Sequence, residues 1–226
     1  MMPEQPLANT AELKGHSWFA ALYDHVMRWS EQRLLSQLRP FIAGRASGRI
    51  LEIGAGTGAN FQYYKAAEKI VATEPDPYML RRARKRAEQL GLDVEFHQCP
   101  AEALPFEDSC FDTVVATLVL CTVRDQFRSL SEVKRVLEPA GTFRFLEHVR
   151  ADRSFTGPVQ DVLTPPWRYF GAGCHLNRRT GISIEAAGFK IIEMQHHRMP
   201  LGIPLIAAVA RPEPDHPHAR ALQQDS

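Results

Sequence analysis

The chain has 226 residues, enough for one domain with a sizeable core and too few for two of ordinary size. Hydrophobic residues make up 44% and charged residues 23%, with a formal net charge of +1, which gives no electrostatic footprint for nucleic acid or an anionic membrane. The four cysteines, Cys99, Cys110, Cys121 and Cys174, form no CxxC pair and have no histidine at zinc-ligand spacing, so free thiols, no metal and a reducing, cytoplasmic setting are expected.

Residues 1–10 read as disordered, and Met1-Met2-Pro3-Glu4-Gln5-Pro6 lacks a basic-then-apolar signal pattern. From His16 to Phe41 the apolar positions Trp18, Phe19, Leu22, Val26, Trp29, Leu34, Leu35 and Leu38 recur every three or four residues. That spacing predicts helices over 11–44, broken once and ended with the help of Pro40. The main domain is expected over 45–210. It opens with a buried strand at Arg49–Ile53, a turn at Gly54–Gly58 and a helix starting near Asn60. A second strand covers Lys69–Glu74. Pro75 stops it, Asp76-Pro77 caps the next helix, and Gly91 ends that helix. The basic run Arg81–Arg86 falls on this helix as a solvated face. Asp93–His97 alternates as a third strand, and Phe111–Thr117 is a β-branched run suited to a central parallel strand. A helix through Phe127, Leu130, Val133 and Val136 is stopped at Pro139-Ala140-Gly141, and Thr142–His148 is the fifth strand. Residues 151–177, rich in Pro, Gly and aromatics, form an insert with no clear element. A short helix then runs to Ala187 before Gly188, Phe189–Gln195 and Ile203–Ala210 are two closing strands, and 211–226 reads as a disordered tail. The most apolar run, Thr113–Val123, is far short of the ~20 residues that span a bilayer.

Five strand–helix alternations predict a mostly parallel sheet covered on both faces, with ligand bound at the carboxyl ends of its strands. Glu52-Ile53-Gly54-Ala55-Gly56-Thr57-Gly58 lies there. Its glycines allow a tight turn and close approach of a ligand to the backbone. With Ala59 the loop also fits a dinucleotide fingerprint. Glu74, at the end of the second strand, can accept both ribose hydroxyls of an adenosyl group, in a nicotinamide dinucleotide or in S-adenosylmethionine. Pro100-Ala101-Glu102-Ala103-Leu104-Pro105-Phe106 and Phe111-Asp112 complete the set. With these four motifs in order, residues 45–150 resemble the class I S-adenosylmethionine-dependent methyltransferases.

The resemblance implies a Rossmann-like three-layer sandwich whose mostly parallel seven-stranded sheet has an antiparallel last strand. It implies S-adenosylmethionine as cofactor and S-adenosylhomocysteine as its product. Gly54, Ala55, Gly56 and Gly58 would line the methionine and ribose region, Asn60 would be among the cofactor-binding residues, and Glu52 would orient the loop. Glu74 would hold the ribose, and Pro75 and Met79 would flank the adenine. Ala101 and Glu102 would read the adenine edge, and Thr117 and Leu118 would lie under the sulfonium. Tyr23, with Trp18, Phe19 and Asp24, would belong to N-terminal lid helices. The family often has an Asp before the Ala-Glu pair, where this chain has Pro100.

Further segments, Gly58–Phe61, Thr117–Val123, Phe145–Val149 and Gly173–Asn177, are similar to the methyltransferase-like group that includes the animal alkyl-thiol S-methyltransferases. Those animal proteins carry an N-terminal hydrophobic anchor. This chain has an amphipathic segment there instead, so no integral membrane segment is expected and a peripheral contact stays open. The implied reaction is direct SN2 methylation of a small molecule, with a thiol as acceptor. N- or O-methylation of a phospholipid or natural product is the alternative. A dinucleotide-dependent oxidoreductase and a non-catalytic binding module are the other classes, disfavoured by the Ala101-Glu102 and Phe111-Asp112 segments and by the intact glycines with Glu74. His148, on the rim after strand five, is the leading proton acceptor. His175 is a second candidate, and Glu147 would orient His148 or a substrate amine. Cys121 and Cys174 read as packing residues. Trp167, Tyr169 and Phe170 of the insert could form an apolar acceptor pocket.

Overall fold

The computed structural model describes residues 34–151, 157–158, 160–162, 164, 174–199 and 203–214. The expected disordered terminus, the lid residues Trp18, Phe19, Tyr23 and Asp24, the aromatics Trp167, Tyr169 and Phe170, and the tail beyond residue 214 lie outside the described residues.

In chain order the elements are α1 (Ser36–Ile42), β1 (Ser47–Ile53), a 3-10 turn (Phe61–Tyr63), β2 (Ala66–Thr73), α2 (Pro77–Leu90), β3 (Val94–His97), β4 (Phe111–Thr117), α3 (Gln126–Val136), β5 (Leu137–His148), α4 (Thr180–Ala186), β6 (Phe189–Arg198) and β7 (Pro204–Pro212). The strands form one seven-stranded sheet in the order β3-β2-β1-β4-β5-β7-β6. β1 through β5 pair in parallel, and β7 runs antiparallel between β5 and β6. The chain lays β2 and β3 on one side of β1 and β4 and β5 on the other, so strand order reverses between β1 and β4. The carboxyl ends of these two strands therefore flank the crevice where such sheets bind ligands.

Period-two alternation sorts the core into two faces. Leu51, Ile53, Val114, Ala116, Phe143 and Phe145 pack beneath Leu130, Val133 and Val136 of α3 and Ile184 of α4. Ile50, Ile70, Ala72, Val115 and Leu146 face Leu38, Phe41 and Ile42 of α1 and Ala83 and Ala87 of α2. Helices thus cover both faces, the expected Rossmann-like sandwich. The caps are local. The Asp76 carboxylate accepts from the N–H groups of Tyr78 and Met79, Pro77 opens α2, and Gly91 closes it at φ +64°.

Three sequence expectations shift. No helix of ordinary length starts near Asn60, because only residues 59–65 separate Gly58 from β2. The chain makes a single 3-10 turn that buries Phe61 and Tyr64. β5 begins at Leu137 rather than Thr142. Its first residues pair irregularly with Phe111, so Pro139 and Ala140 lie in a strand and not at a helix stop. Pro40 lies inside α1, which continues to Ile42 and is closed by the Arg39 carbonyl accepting from Ala43 and Gly44.

Phe143 is fully buried between the rings of Phe145 and Phe189, at centroid separations of 5.1 and 5.5 Å. Phe143→Ala should cost about 3–5 kcal/mol of stability in urea unfolding. A loss below about 1 kcal/mol would contradict the central place given to this ring.

Candidate functional site

The loop after β1 is built from backbone that side chains could not follow. Gly54, Gly56 and Gly58 all have positive φ, at 57°, 57° and 76°. A Cβ at Gly54 would come within 2.7 Å of Val119, and one at Gly58 within 2.5 Å of Phe61. At Gly56 it would meet nothing within 4 Å, so there the loop presents bare backbone to open space. The buried Ala55 ties the loop to the end of β2 by donating its N–H to the Thr73 carbonyl at 2.9 Å.

Beneath this loop lies a buried polar floor. Glu52, 2% exposed, accepts from Asn60 Nδ2 and from Tyr64 Oη, each at 2.8 Å. Asn60 also donates to Thr117 Oγ1 at 3.0 Å and accepts from the guanidinium of the buried Arg39. Burial pushes the Glu52 carboxyl up to about 7, while the Tyr64 and Asn60 bonds and the nearby Arg39 charge pull it down. The amide of Asn60 is fully engaged in holding the floor. It sits under the loop, bonded to β1 through Glu52 and to β4 through Thr117. Arg39 and Tyr64 were not singled out from sequence, since no motif marks either.

Glu74 directly follows β2. Its Oε2 accepts from Gly56 N–H at 2.8 Å and its Oε1 from Asp76 N–H at 2.9 Å. Burial raises its pKa to about 7, against those two bonds. Pro75 is half-buried beside it. The Met79 side chain is buried in α2, and Ala101 is buried in the loop after β3. Glu102 has a local structural role as well. Its carboxylate accepts from the N–H groups of Arg124 and Asp125 at 2.8 and 3.2 Å, and its carbonyl from Arg128 Nε at 3.0 Å. It anchors the start of α3, with both amide bonds falling on its Oε1.

The loop after β4 is held from both ends of its peptide dipoles. Glu147, fully buried on β5, accepts from the N–H groups of Val119, Leu120 and Cys121 at 2.8, 2.8 and 3.1 Å. Arg178, also not anticipated, donates to the carbonyls of Leu120 and Val123. Between Thr117 and this clamp, Leu118 takes φ +58°, a conformation costing of order 1–3 kcal/mol outside glycine. The carboxylate of Glu147 is thus spent on backbone, and burial pushes it up to about 7 against the three amide bonds. It positions the loop, with the neighbouring His148 close enough to act on its charge.

His148 ends β5 and is 7% exposed. Its Nδ1 faces two sulfurs, Cys174 Sγ at 3.6 Å and Cys121 Sγ at 3.9 Å, and its Nε2 lies 3.0 Å from Met199 Sδ. His175 is turned to the Cys121 carbonyl, which accepts from its backbone N–H at 2.7 Å and lies 3.1 Å from its Nδ1. A carbonyl only accepts, so Nδ1 carries the proton and His175 braces the same loop. The fold therefore gathers Cys121, His148 and Cys174, which sequence spacing kept apart by 27 and 26 residues. No local ligand pattern could have signalled this.

Comparison with known proteins agrees with the geometry. A methyltransferase domain family model matches residues 51–145. The human thiol S-methyltransferase TMT1A is 36% identical over 192 residues, covering 83% of this chain and 79% of the relative. A phosphatidylethanolamine N-methyltransferase from Cereibacter sphaeroides is 34% identical over 118 residues, covering 51% of this chain and 58% of its own. Among solved structures, the Burkholderia thailandensis 1,6-didemethyltoxoflavin-N1-methyltransferase, with bound S-adenosylhomocysteine, superposes with a TM-score of 0.63 at 18% identity, covering 94% of each chain. That likeness concerns the fold.

Removing the Glu147 carboxylate would strand three amides, and each buried unpaired amide costs about 1–3 kcal/mol. Glu147→Ala should lower stability by about 3 kcal/mol or more in urea unfolding. A loss within about 0.5 kcal/mol of zero would mean that the clamp is dispensable.

Proposed function

The chain belongs to the class I S-adenosylmethionine-dependent methyltransferases, in the group that includes the thiol S-methyltransferases, and on that footing we propose that it methylates the sulfur of a small-molecule thiol. The dinucleotide-dependent oxidoreductase is set aside by this membership. Among the described residues no helix is long and apolar enough to cross a membrane.

The residues present fit the cofactor. Gly56 offers open backbone where a Cβ would intrude on a ligand. Glu74 spends two acceptor positions on Gly56 and Asp76 and keeps others for two ribose hydroxyls. Gly54, Ala55 and Gly58 shape the methionine side, Thr117 and Leu118 form the floor below it, and Pro75, Met79 and Ala101 border the adenine. Bound S-adenosylmethionine supplies a methyl group on a positively charged sulfur, which an acceptor displaces from the opposite side. The chain's part is alignment and exclusion of water. His148, at the carboxyl end of β5 beside the β4 loop, is the side chain through which the acceptor is activated.

One observation carries the thiol reading. The His148 imidazole at the end of β5 is surrounded by sulfur, from Cys121, Cys174 and Met199, soft and polarisable groups of the kind that suit a sulfur nucleophile. The similarity to the human thiol S-methyltransferase also extends well beyond the matched domain, whereas that to the phospholipid enzyme spans half the chain.

The test is transfer of labelled methyl from S-adenosylmethionine to a panel of thiols, amines, phenols and phospholipids. Thiols should be labelled selectively, and His148→Ala should lower turnover roughly 100-fold or more with little change in cofactor affinity. Labelling confined to amines or lipids rejects the thiol acceptor.

Cofactor binding should also report on Glu74. Its raised pKa, about 7, means that the ionised acceptor needed for ribose hydroxyls is lost as pH falls through 7. Affinity measured by calorimetry should therefore strengthen from pH 6 to pH 8, with proton release on binding around pH 7. Glu74→Gln should bind more weakly and with a flatter pH dependence. A variant as pH-dependent as the parent would assign the titration to another group.

A further inference from the structure

Three buried ligand atoms converge at the carboxyl ends of β4 and β5. Cys121 Sγ, His148 Nδ1 and Cys174 Sγ all lie within 4.8 Å of one another. They come from three separate segments. Cys121 rides on the loop clamped by Glu147 and Arg178, His148 ends β5, and Cys174 precedes α4. The orientation of the imidazole is informative. Met199 Sδ sits 3.0 Å from Nε2, and a thioether sulfur can only accept. Nε2 therefore carries the proton, and the lone pair on Nδ1 points at the two cysteines. That is the tautomer a metal-binding imidazole needs, fixed by a partner on its far nitrogen.

Two cysteines and an imidazole lone pair form a borderline-soft set suited to zinc and unsuited to magnesium or calcium. Among the described residues nothing completes four-coordination. Met199 lies on the wrong nitrogen, and the Glu147 carboxylate is occupied by three amides. Structural zinc sites fill all four positions with protein, while reactive ones keep one open. We propose that Cys121, His148 and Cys174 hold a zinc ion whose open fourth position takes the sulfur of the methyl acceptor.

This deepens the thiol reading and rests on it. When the acceptor binds, its S–H bond is exchanged for a zinc–sulfur bond and the proton leaves to water. The held thiolate keeps an electron pair for the transferable methyl. The new carbon–sulfur bond forms as the sulfonium–methyl bond breaks, giving a thioether and S-adenosylhomocysteine. A neutral thioether is a poorer zinc ligand than a thiolate, which favours its release. His148 then acts as a zinc ligand, so the metal and not the free imidazole lowers the thiol's affinity for its proton.

The test uses full-length protein purified with a phosphine reductant and freed of loose metal by gel filtration. Elemental analysis should find about one zinc per chain. After chelation, cobalt(II) titration should develop thiolate charge-transfer and tetrahedral ligand-field bands. Cys121→Ser and Cys174→Ser should each weaken cobalt binding at least tenfold, roughly what losing a mere supporting residue costs. The double variant Cys99→Ser/Cys110→Ser should retain it. Cofactor affinity, measured on every variant, separates loss of metal from loss of fold. Adding a small alkane thiol should shift the cobalt bands, and its methyl thioether should not. Absence of stoichiometric metal in the parent protein, or undiminished binding in both cysteine variants, overturns the site. Bands unmoved by thiol overturn the open position. Thiol methylation by metal-free protein removes zinc from the reaction while the thiol reading stands. Stoichiometric metal with methylation confined to amines or hydroxyls does the reverse, leaving the three-ligand site without its sulfur acceptor.

Discussion

Three carboxylates are buried at the carboxyl ends of three parallel strands of the sheet, and the loops that make the site are arranged to satisfy them. Glu52 lies near the end of β1, Glu74 just past β2 and Glu147 near the end of β5. Burial holds each near pKa 7. A buried charge or acid without partners would cost several kcal/mol, so each carboxyl takes at least two hydrogen bonds from the chain, and those bonds fix a loop. Glu52 holds Asn60 and Tyr64, Glu74 holds Gly56 and Asp76, and Glu147 holds Val119, Leu120 and Cys121. The rigid sheet thereby reaches into its own flexible edge, which is what preorganised sites require.

That arrangement also explains how the glycine loop manages without a helix behind it. A helix would supply a row of free amides and pack the loop from below. Here the chain turns once through Phe61–Tyr63 and re-enters the sheet at Ala66. The support comes instead from the Glu52–Asn60–Tyr64 floor, cross-linked to β4 through Thr117 and to α1 through Arg39. The bonds are among side chains, so the floor depends on residue identity at five positions.

The difference between what could be read from the chain and what could not follows the same line. Strand β4, the Asp76 cap with Pro77, the Gly91 stop and the mostly parallel sheet declare themselves locally, through periodicity, turn chemistry and the strand–helix alternation. The four ordered motifs identify the adenosyl side for the same reason. The direction of a side chain at a strand end is different. Glu52, Asn60, Glu102 and Glu147 all sit in recognisable motifs, yet whether each faces a ligand or a backbone amide depends on partners far away in the chain. Asn60 and Glu147 turn inward to scaffold, Glu102 turns to the start of α3, and Arg39, Tyr64 and Arg178 become visible only as their partners. Cys121, His148 and Cys174 are the extreme case, since local spacing carries nothing that three distant segments bring together.

The loop after β4 is where the two halves of the site meet. On one side Thr117 is bonded to the floor of the glycine loop, and on the other Cys121 faces His148. Between them the strained Leu118 backbone lets the chain change direction within one residue. Glu147 holds the three residues that follow, and it does so from β5, the strand that also carries His148. One carboxylate therefore fixes the stretch of loop that joins Thr117, on the floor, to the Cys121 sulfur. Methyl transfer demands that donor sulfur, carbon and nucleophile lie on a line, and errors near 1 Å are costly in rate. Mounting both halves on a single clamp, one bond away from the reacting rim, is a way for a short loop to keep that line while the groups it joins come from opposite sides of the sheet's switch point.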